Sequence, residues 1–318
     1  MVPIILDRTT IAKGHHIVTR ALRSNPEDFV GRTFQALGFD PAGDVPVSIT
    51  TMVSGHKQIV HLVSVKDGPN FVVKSARDQD LVDDHHEGMS QLLLANYSPD
   101  FNTFEFRNLQ ACAQLSDGVV AAPFALTMVE TGNDQVSVYS QKYRPEWVQV
   151  GPLKTSGEWI FDLVADKPAD EWDHTTQRQT KAIVSTVVRE AALIYLRSNG
   201  QLLPFPIYGI GDVVIDNQNR TESSWVGLAV TYQADKLLTF HRKSGLTADE
   251  FVCYILHDLH KKDAFLPPVF NGDKVHLHLG YEEAFIRGIM EAYNTFYGSG
   301  RHTMTRDTIS RITSNPVA

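Results

Sequence analysis

A chain of 318 residues that is 42% hydrophobic is long enough to bury two cores, as two domains or as one large domain in two lobes. Only 21% of residues are charged, the formal net charge is -8, and no basic tract interrupts it, which excludes global attraction to nucleic acid or an anionic membrane. The two cysteines, Cys112 and Cys253, each sit among apolar residues on a predicted helix and read as buried reduced thiols, not as a disulfide or zinc ligands.

The apolar run Val2 to Leu6 contains Pro3 and is closed by Asp7-Arg8, so it lacks the length and flanks of a signal peptide or membrane span, and the expectation is a soluble, cytoplasmic protein. Residues 1–46 read as an N-terminal helical extension, with helices over Ile11 to Leu22 and Pro26 to Leu37. Val47 to Ala76 then reads as three consecutive strands. Val47, Ile49, Thr51 and Val53 alternate with Ser48, Thr50 and Met52, Ser54-Gly55-His56-Lys57 breaks the pattern, and Ile59 to Val65 resumes it. Lys66-Asp67-Gly68-Pro69-Asn70 carries the signal for a tight connection to Phe71-Val72-Val73-Lys74. A short helix follows over Met89 to Tyr97, preceded by Asp83-Asp84-His85-His86-Glu87, whose charges suit an exposed helix start. The next helix, Phe101 to Leu115, turns Phe104, Leu109, Cys112 and Leu115 toward the core. Strands over Ala122 to Glu130 and Gln135 to Gln141 complete a β-β-β-α-α-β-β half.

The second half opens on a connector, Tyr143 to Asp173, rich in tryptophan and proline. Gln177 to Arg197 is the strongest helix, stopped by Asn199-Gly200, and Ile207 to Asp216 with Trp225 to Gln233 reads as a hairpin. Thr247-Ala248-Asp249-Glu250 is a capping box that opens a helix through about Lys262; a last helix runs from Tyr281 to Tyr297, and the tail from Gly298 reads as polar and peripheral.

Lys74 ends the third strand and Glu105 stands near the start of the longer helix that follows. Taken singly, a strand-end lysine is usually a solvated edge residue, and an early helical glutamate complements the helix dipole. Asp212 and Asn217, five apart in Gly-Asp-Val-Val-Ile-Asp-Asn, and Asp235 after the next strand have equally plain readings as turn and strand-end residues. Together with the order of elements, these residues resemble the protein-kinase-like superfamily over about residues 47–297, especially its aminoglycoside and choline phosphotransferase branch. The resemblance implies an α+β, two-lobed kinase-like fold, with an antiparallel-sheet small lobe over 47–144 and a mostly helical large lobe over 145–318. It implies that Lys74 neutralises nucleotide phosphates, that Glu105 holds the lysine, and that the Ser54-Gly55 turn covers the phosphates. Gln141 to Arg144 takes the place of the hinge, Asp212 that of the catalytic residue orienting the acceptor hydroxyl, and Asn217 and Asp235 those of the metal ligands. ATP and Mg²⁺ are the implied cofactors, and the implied activity is phosphoryl transfer to a hydroxyl on a small molecule or protein.

The sequence departs from that pattern in three places. Ile210 stands where a histidine is usual, Val213-Val214-Ile215 is strand-like where a loop is expected, and no Asp-Phe-Gly lies near Asp235. A second register puts the loop at Asn199 to Pro206, which contains no aspartate, and implies a catalytically inactive pseudokinase serving as a binding or scaffold module. A third candidate is Ile255-Leu256-His257-Asp258-Leu259-His260-Lys261, similar to the Leu-His-Asp core of HD-type metal-dependent phosphohydrolases. There His257 and Asp258, with His241 and His276 or His278, would hold a divalent ion that activates water. The plain alternative is an amphipathic helix with solvent-facing histidines. Neither the acceptor nor the oligomeric state is encoded in these patterns.

Overall fold

The computed structural model describes residues 4–6, 15–24, 26–54, 58–76, 101–132, 134–145, 147–149, 174–205, 213–216, 223–225, 230–233, 245–263 and 279–314. The fold is α+β and divides into two compact units, residues 1–110 with 121–145, and residues 111–120 with 146–318.

The first unit is built on a six-stranded sheet of β1 (Ile4–Leu6), β2 (Val45–Ser54), β3 (Gln58–Val65), β4 (Phe71–Ala76), β5 (Pro123–Thr131) and β6 (Asp134–Lys142), in the order β1-β2-β3-β4-β6-β5. β1 runs parallel to β2 and the other neighbours are antiparallel. The tight β3–β4 turn needs its sequence: Asp67 has φ 58°, and a Cβ on Gly68 would lie 2.8 Å from the Phe39 ring.

Alternation along the strands gives the sheet two faces of different chemistry. Val63, Val65, Phe71, Val73 and Val138 form the apolar face. It is covered by α1 (His16–Ser24) and by a π-helical turn, Pro26–Val30, that runs into α2 (Gly31–Ala36); their Ile17, Val18, Leu22, Phe29 and Phe34 share one core with it. The segment that reads as an N-terminal extension thus supplies both the edge strand β1 and the cover of one sheet face. The opposite face presents Lys74, Tyr139 and Gln141, approached by α3 (Phe101–Leu115).

α3 has the predicted bounds and buries Leu109 and Cys112 as expected, but the rest of its buried stripe differs. Asn102, Glu105, Phe106, Leu109 and Cys112 are buried, whereas Phe104, expected inside, is 57% exposed. An apolar-only count misplaced the stripe because two of its inward positions are polar.

The second unit centres on α4 (His174–Arg197), whose Val184, Val187, Val188, Ala191 and Ile194 are buried and which ends at Asn199 and Gly200, φ 53° and 77°. α6 (Leu279–Tyr297) crosses it closely enough that a Cβ on Gly288 would lie 2.6 Å from the Ser185 carbonyl oxygen. α5 (Ala248–Asp263) opens with the expected capping box: the Glu250 amide donates to Thr247 Oγ1 at 3.2 Å, and the Thr247 amide donates to Glu250 Oε2 at 3.1 Å.

Two expectations change here. The tail beyond Gly298 is not peripheral: α7 (Arg306–Ser314) buries Ile309 and Ile312, a stripe too short to stand out among its charged neighbours, and Met304 ahead of it is buried too. The expected hairpin is kept only where β9 (Val213–Asp216) pairs antiparallel with β10 (Ser223–Trp225); β9 also pairs with β7 (Trp147–Gln149), and the far arm, β11 (Val230–Gln233), pairs instead with β8 (Leu202–Phe205). Short apolar runs do not specify a register, so the partners could not be chosen from composition. The predicted helix over Met89 to Tyr97, its acidic lead-in and residues 150–173 of the connector lie outside the described residues.

Candidate functional site

Lys74 stands in β4 directly opposite Val60 of β3 and Tyr139 of β6. It is no solvated strand end: the residue is only 6% exposed, and its Nζ lies 5.5 Å from the centroid of the Tyr139 ring, within cation–π range. Glu105 enters from the first half of α3 and is 2% exposed. The Tyr139 hydroxyl donates to Glu105 Oε2 at 2.6 Å, and the Gln58 amide donates to the same oxygen. Tyr139 therefore carries the buried ammonium against its ring and the buried carboxylate on its hydroxyl. Gln58 also donates to Asn102 Oδ1 at 2.5 Å, and Asn102 Nδ2 donates to the Ser137 carbonyl at 2.6 Å. The result is a compact, mostly buried polar cluster on a sheet face, with a cation and an anion held among neutral donors and acceptors.

The sequence pointed to Lys74 and Glu105, and the structure brings both into this cluster. Ser54 ends β2, paired with Ile59. Gly55, Asp212, Asn217 and Asp235 lie outside the described residues, as do His241, His276 and His278. Gln141, at the start of the expected hinge, is still within β6 and donates its amide to the Ala121 carbonyl at 2.7 Å. His257 is buried and packs edge-on against the Phe285 ring at 5.4 Å, turned toward α6 and not to solvent. Among the described residues no group of three or more His, Cys, Asp or Glu side chains could hold a metal ion. Both cysteines are buried and neither forms a disulfide, and burial pushes the Cys253 thiol up to about 12, with the nearby Glu250 adding to it.

Gln58, Asn102 and Tyr139 escaped sequence reasoning. Asn102 left a trace, since it precedes Glu105 by three residues and so shares its side of the helix. Gln58 and Tyr139 join only through cross-strand register, which no local pattern reveals.

Two other polar clusters share no residue with this one. On the apolar face, the His15 and His61 rings meet edge-on at 5.3 Å; Thr51 Oγ1 lies 2.8 Å from His15 Nε2 and 3.4 Å from His61 Nδ1, and Ser75 Oγ lies 3.4 Å from His61 Nε2. In the second unit Asp117 accepts from Arg189 and Arg197, each at 2.7 Å, beside a fully buried Glu190. Burial alone would raise the Asp117 carboxyl, but hydrogen bonds from Arg197 and Arg189 outweigh it and lower it; for Glu190 burial prevails and its carboxyl is raised. Among the described residues no helix is long and apolar enough to cross a membrane.

No protein-family model matches the chain, and no curated protein does. Among solved structures it is similar to the complex of Rv3197 with erythromycin from Mycobacterium tuberculosis, at 13% identity over 94% of this chain and 75% of that one, with a TM-score of 0.37. It is also similar to a mutant of the PAN3 pseudokinase of Neurospora crassa, at 9% identity over 93% of this chain and 65% of that one, TM-score 0.36. A third similarity is to the Neurospora crassa PAN2–PAN3 complex, at 9% identity over 84% of this chain and 59% of that one, TM-score 0.35. The chain spans less than two thirds of both Neurospora chains. Likeness at this level assigns neither a fold nor a function.

Proposed function

We propose that this chain is a kinase-like protein whose first unit receives the phosphates of ATP at Lys74. The observation that carries the reading is the buried Lys74–Tyr139–Glu105 cluster, with the lysine on the third of three antiparallel strands and the carboxylate on the following helix. That is the arrangement the resemblance implies for phosphate binding. An ammonium taken out of water is costly unless anions surround it, and a polyphosphate beside Glu105 is a fitting second anion. The residues at hand fit the phosphate half of such a site. ATP would supply the transferable phosphoryl group; Lys74 would bind its phosphates, Glu105 would hold the lysine, Asp212 would orient the acceptor hydroxyl, and Asn217 with Asp235 would hold Mg²⁺. The acceptor would be a hydroxyl of a small molecule or a protein.

A second reading is a nucleotide-binding or scaffold module without transfer, and β9 favours it. Val213–Asp216 is extended and paired on both sides, a run of about 10 Å at the rise of a strand. A loop that brings an aspartate and an asparagine five residues apart to one phosphate is built differently.

Thermal unfolding with and without millimolar ATP and Mg²⁺ tests the first step. The wild type should gain about 2.7 kcal/mol at a hundredfold excess over Kd. Lys74→Ala and Lys74→Met, checked for folding by circular dichroism, should gain nothing. No shift in the wild type overturns the proposal. Binding without phosphoryl transfer to any hydroxyl acceptor supports the second reading, and transfer that survives Asp212→Ala removes Asp212 from its role.

A further inference from the structure

We propose that Asn102 and Gln58 are positioning residues that seat Glu105 beside the Lys74–Tyr139 rung before any ligand arrives. The part of this that concerns nucleotide rests on the function proposed above; the seating of α3 does not.

The bonds form one chain. Asn102, at the second residue of α3, donates its amide to the Ser137 carbonyl of β6 at 2.6 Å and toward the Lys74 carbonyl of β4 at 3.5 Å, so the first turn of the helix is tied to the backbones of two adjacent strands. Its Oδ1 accepts from Gln58 Nε2 at 2.5 Å, and the same nitrogen donates to Glu105 Oε2. Both hydrogens of the Gln58 amide are thus used, one on each of two α3 side chains. The orientation of Asn102 follows from its partners, because a flipped amide would set Oδ1 against the Ser137 carbonyl oxygen. Asn102 is fully buried, so a shift of α3 away from the sheet would strand its amide and the strand carbonyls together. Gln58 is the first residue of β3, three positions after Gly55 in sequence, so a single side chain ties the start of that strand to the carboxylate.

The test compares the wild type with Asn102→Ala and with Gln58→Leu, whose site is only half-buried and so tolerates the change if the first variant fails to fold. Two readouts need no nucleotide: the rate at which a water-soluble acylating reagent modifies the Lys74 amine, followed by mass spectrometry, and amide hydrogen exchange along α3. In the wild type, exchange within residues 103–109 should be equally slow with and without millimolar ATP and Mg²⁺. In the variants Lys74 should be acylated about tenfold faster, the scale of one lost hydrogen bond, to the Glu105 carboxyl in Gln58→Leu and to the buried strand carbonyl in Asn102→Ala. Exchange in α3 should rise while that of β4 and β6 stays unchanged. ATP affinity should weaken by about the same factor, and that effect should vanish when Lys74→Met is already present.

Wild-type acylation and α3 exchange in both variants would overturn the proposal, as would α3 amides in the wild type that become protected only on adding ATP. If the wild type binds no ATP, the nucleotide reading fails, and the acylation and exchange results still decide the positioning role.

Discussion

Lys74 and Tyr139 show how one rung of a sheet can hold an ammonium against a ring whose hydroxyl reaches a buried carboxyl, and a second rung-level arrangement, at His61, makes stability depend on pH. His61 is completely buried on the opposite face, and burial, then the charge of His15, pushes its pKa from 6.5 down to about 4. The unfolded chain therefore binds a proton that the folded chain refuses. The stabilisation is present above pH 6.5 and is lost as pH falls toward 4, amounting to at most about 3 kcal/mol. The groups facing His61 there, Thr51 and Ser75, are neutral hydroxyls and offer its cation no anion. His61→Gln should lose less stability than the wild type between about pH 7 and about pH 4.5 in denaturant titrations, and equal losses would show that His61 does not carry the effect.

At the scale of elements, close backbone approach matters more than propensity. Gly288 lies where α6 meets α4, and an added methyl would meet the Ser185 carbonyl and the Val188 side chain at 2.6 and 3.0 Å. Gly288→Ala should destabilise the second unit by about 1–3 kcal/mol despite its better helix propensity, measurable as a lower unfolding midpoint. Helices with a clear apolar stripe or a capping box, α4 and α5, were legible in the sequence to within a few residues. α7 was not, because two apolar residues cannot announce a stripe, and the pairing of β11 with β8 was missed because nothing local chooses a distant partner strand. Phe104 and Asn102 make the same point within one helix: hydrophobicity pointed the ring inward, and the polar network turned it out.

For the whole molecule, the order of strands and helices carried the reading of Lys74 and Glu105, which no single residue could have supported. The rest of the first site depends on contacts across dozens of residues, Gln58 with Asn102 and Tyr139 with Glu105, and so was not legible. The catalytic positions inferred from resemblance, Asp212, Asn217 and Asp235, lie outside the described residues. The N-terminal segment also belongs to this scale. Deleting residues 1–40 uncovers Val63, Val65, Phe71, Val73 and Val138, and should yield aggregating protein or a first unit without a cooperative unfolding transition. A soluble truncation that unfolds at the wild-type midpoint would show that the cover is dispensable.

That cover has a consequence in time. Leu22 and Phe29 share a core with Val138, so the helices leave the ribosome roughly 100 residues before β6, a delay of about 5–20 s at ordinary translation rates. These helices must wait for a strand made much later in the same unit, and during that wait their apolar face is available to a chaperone.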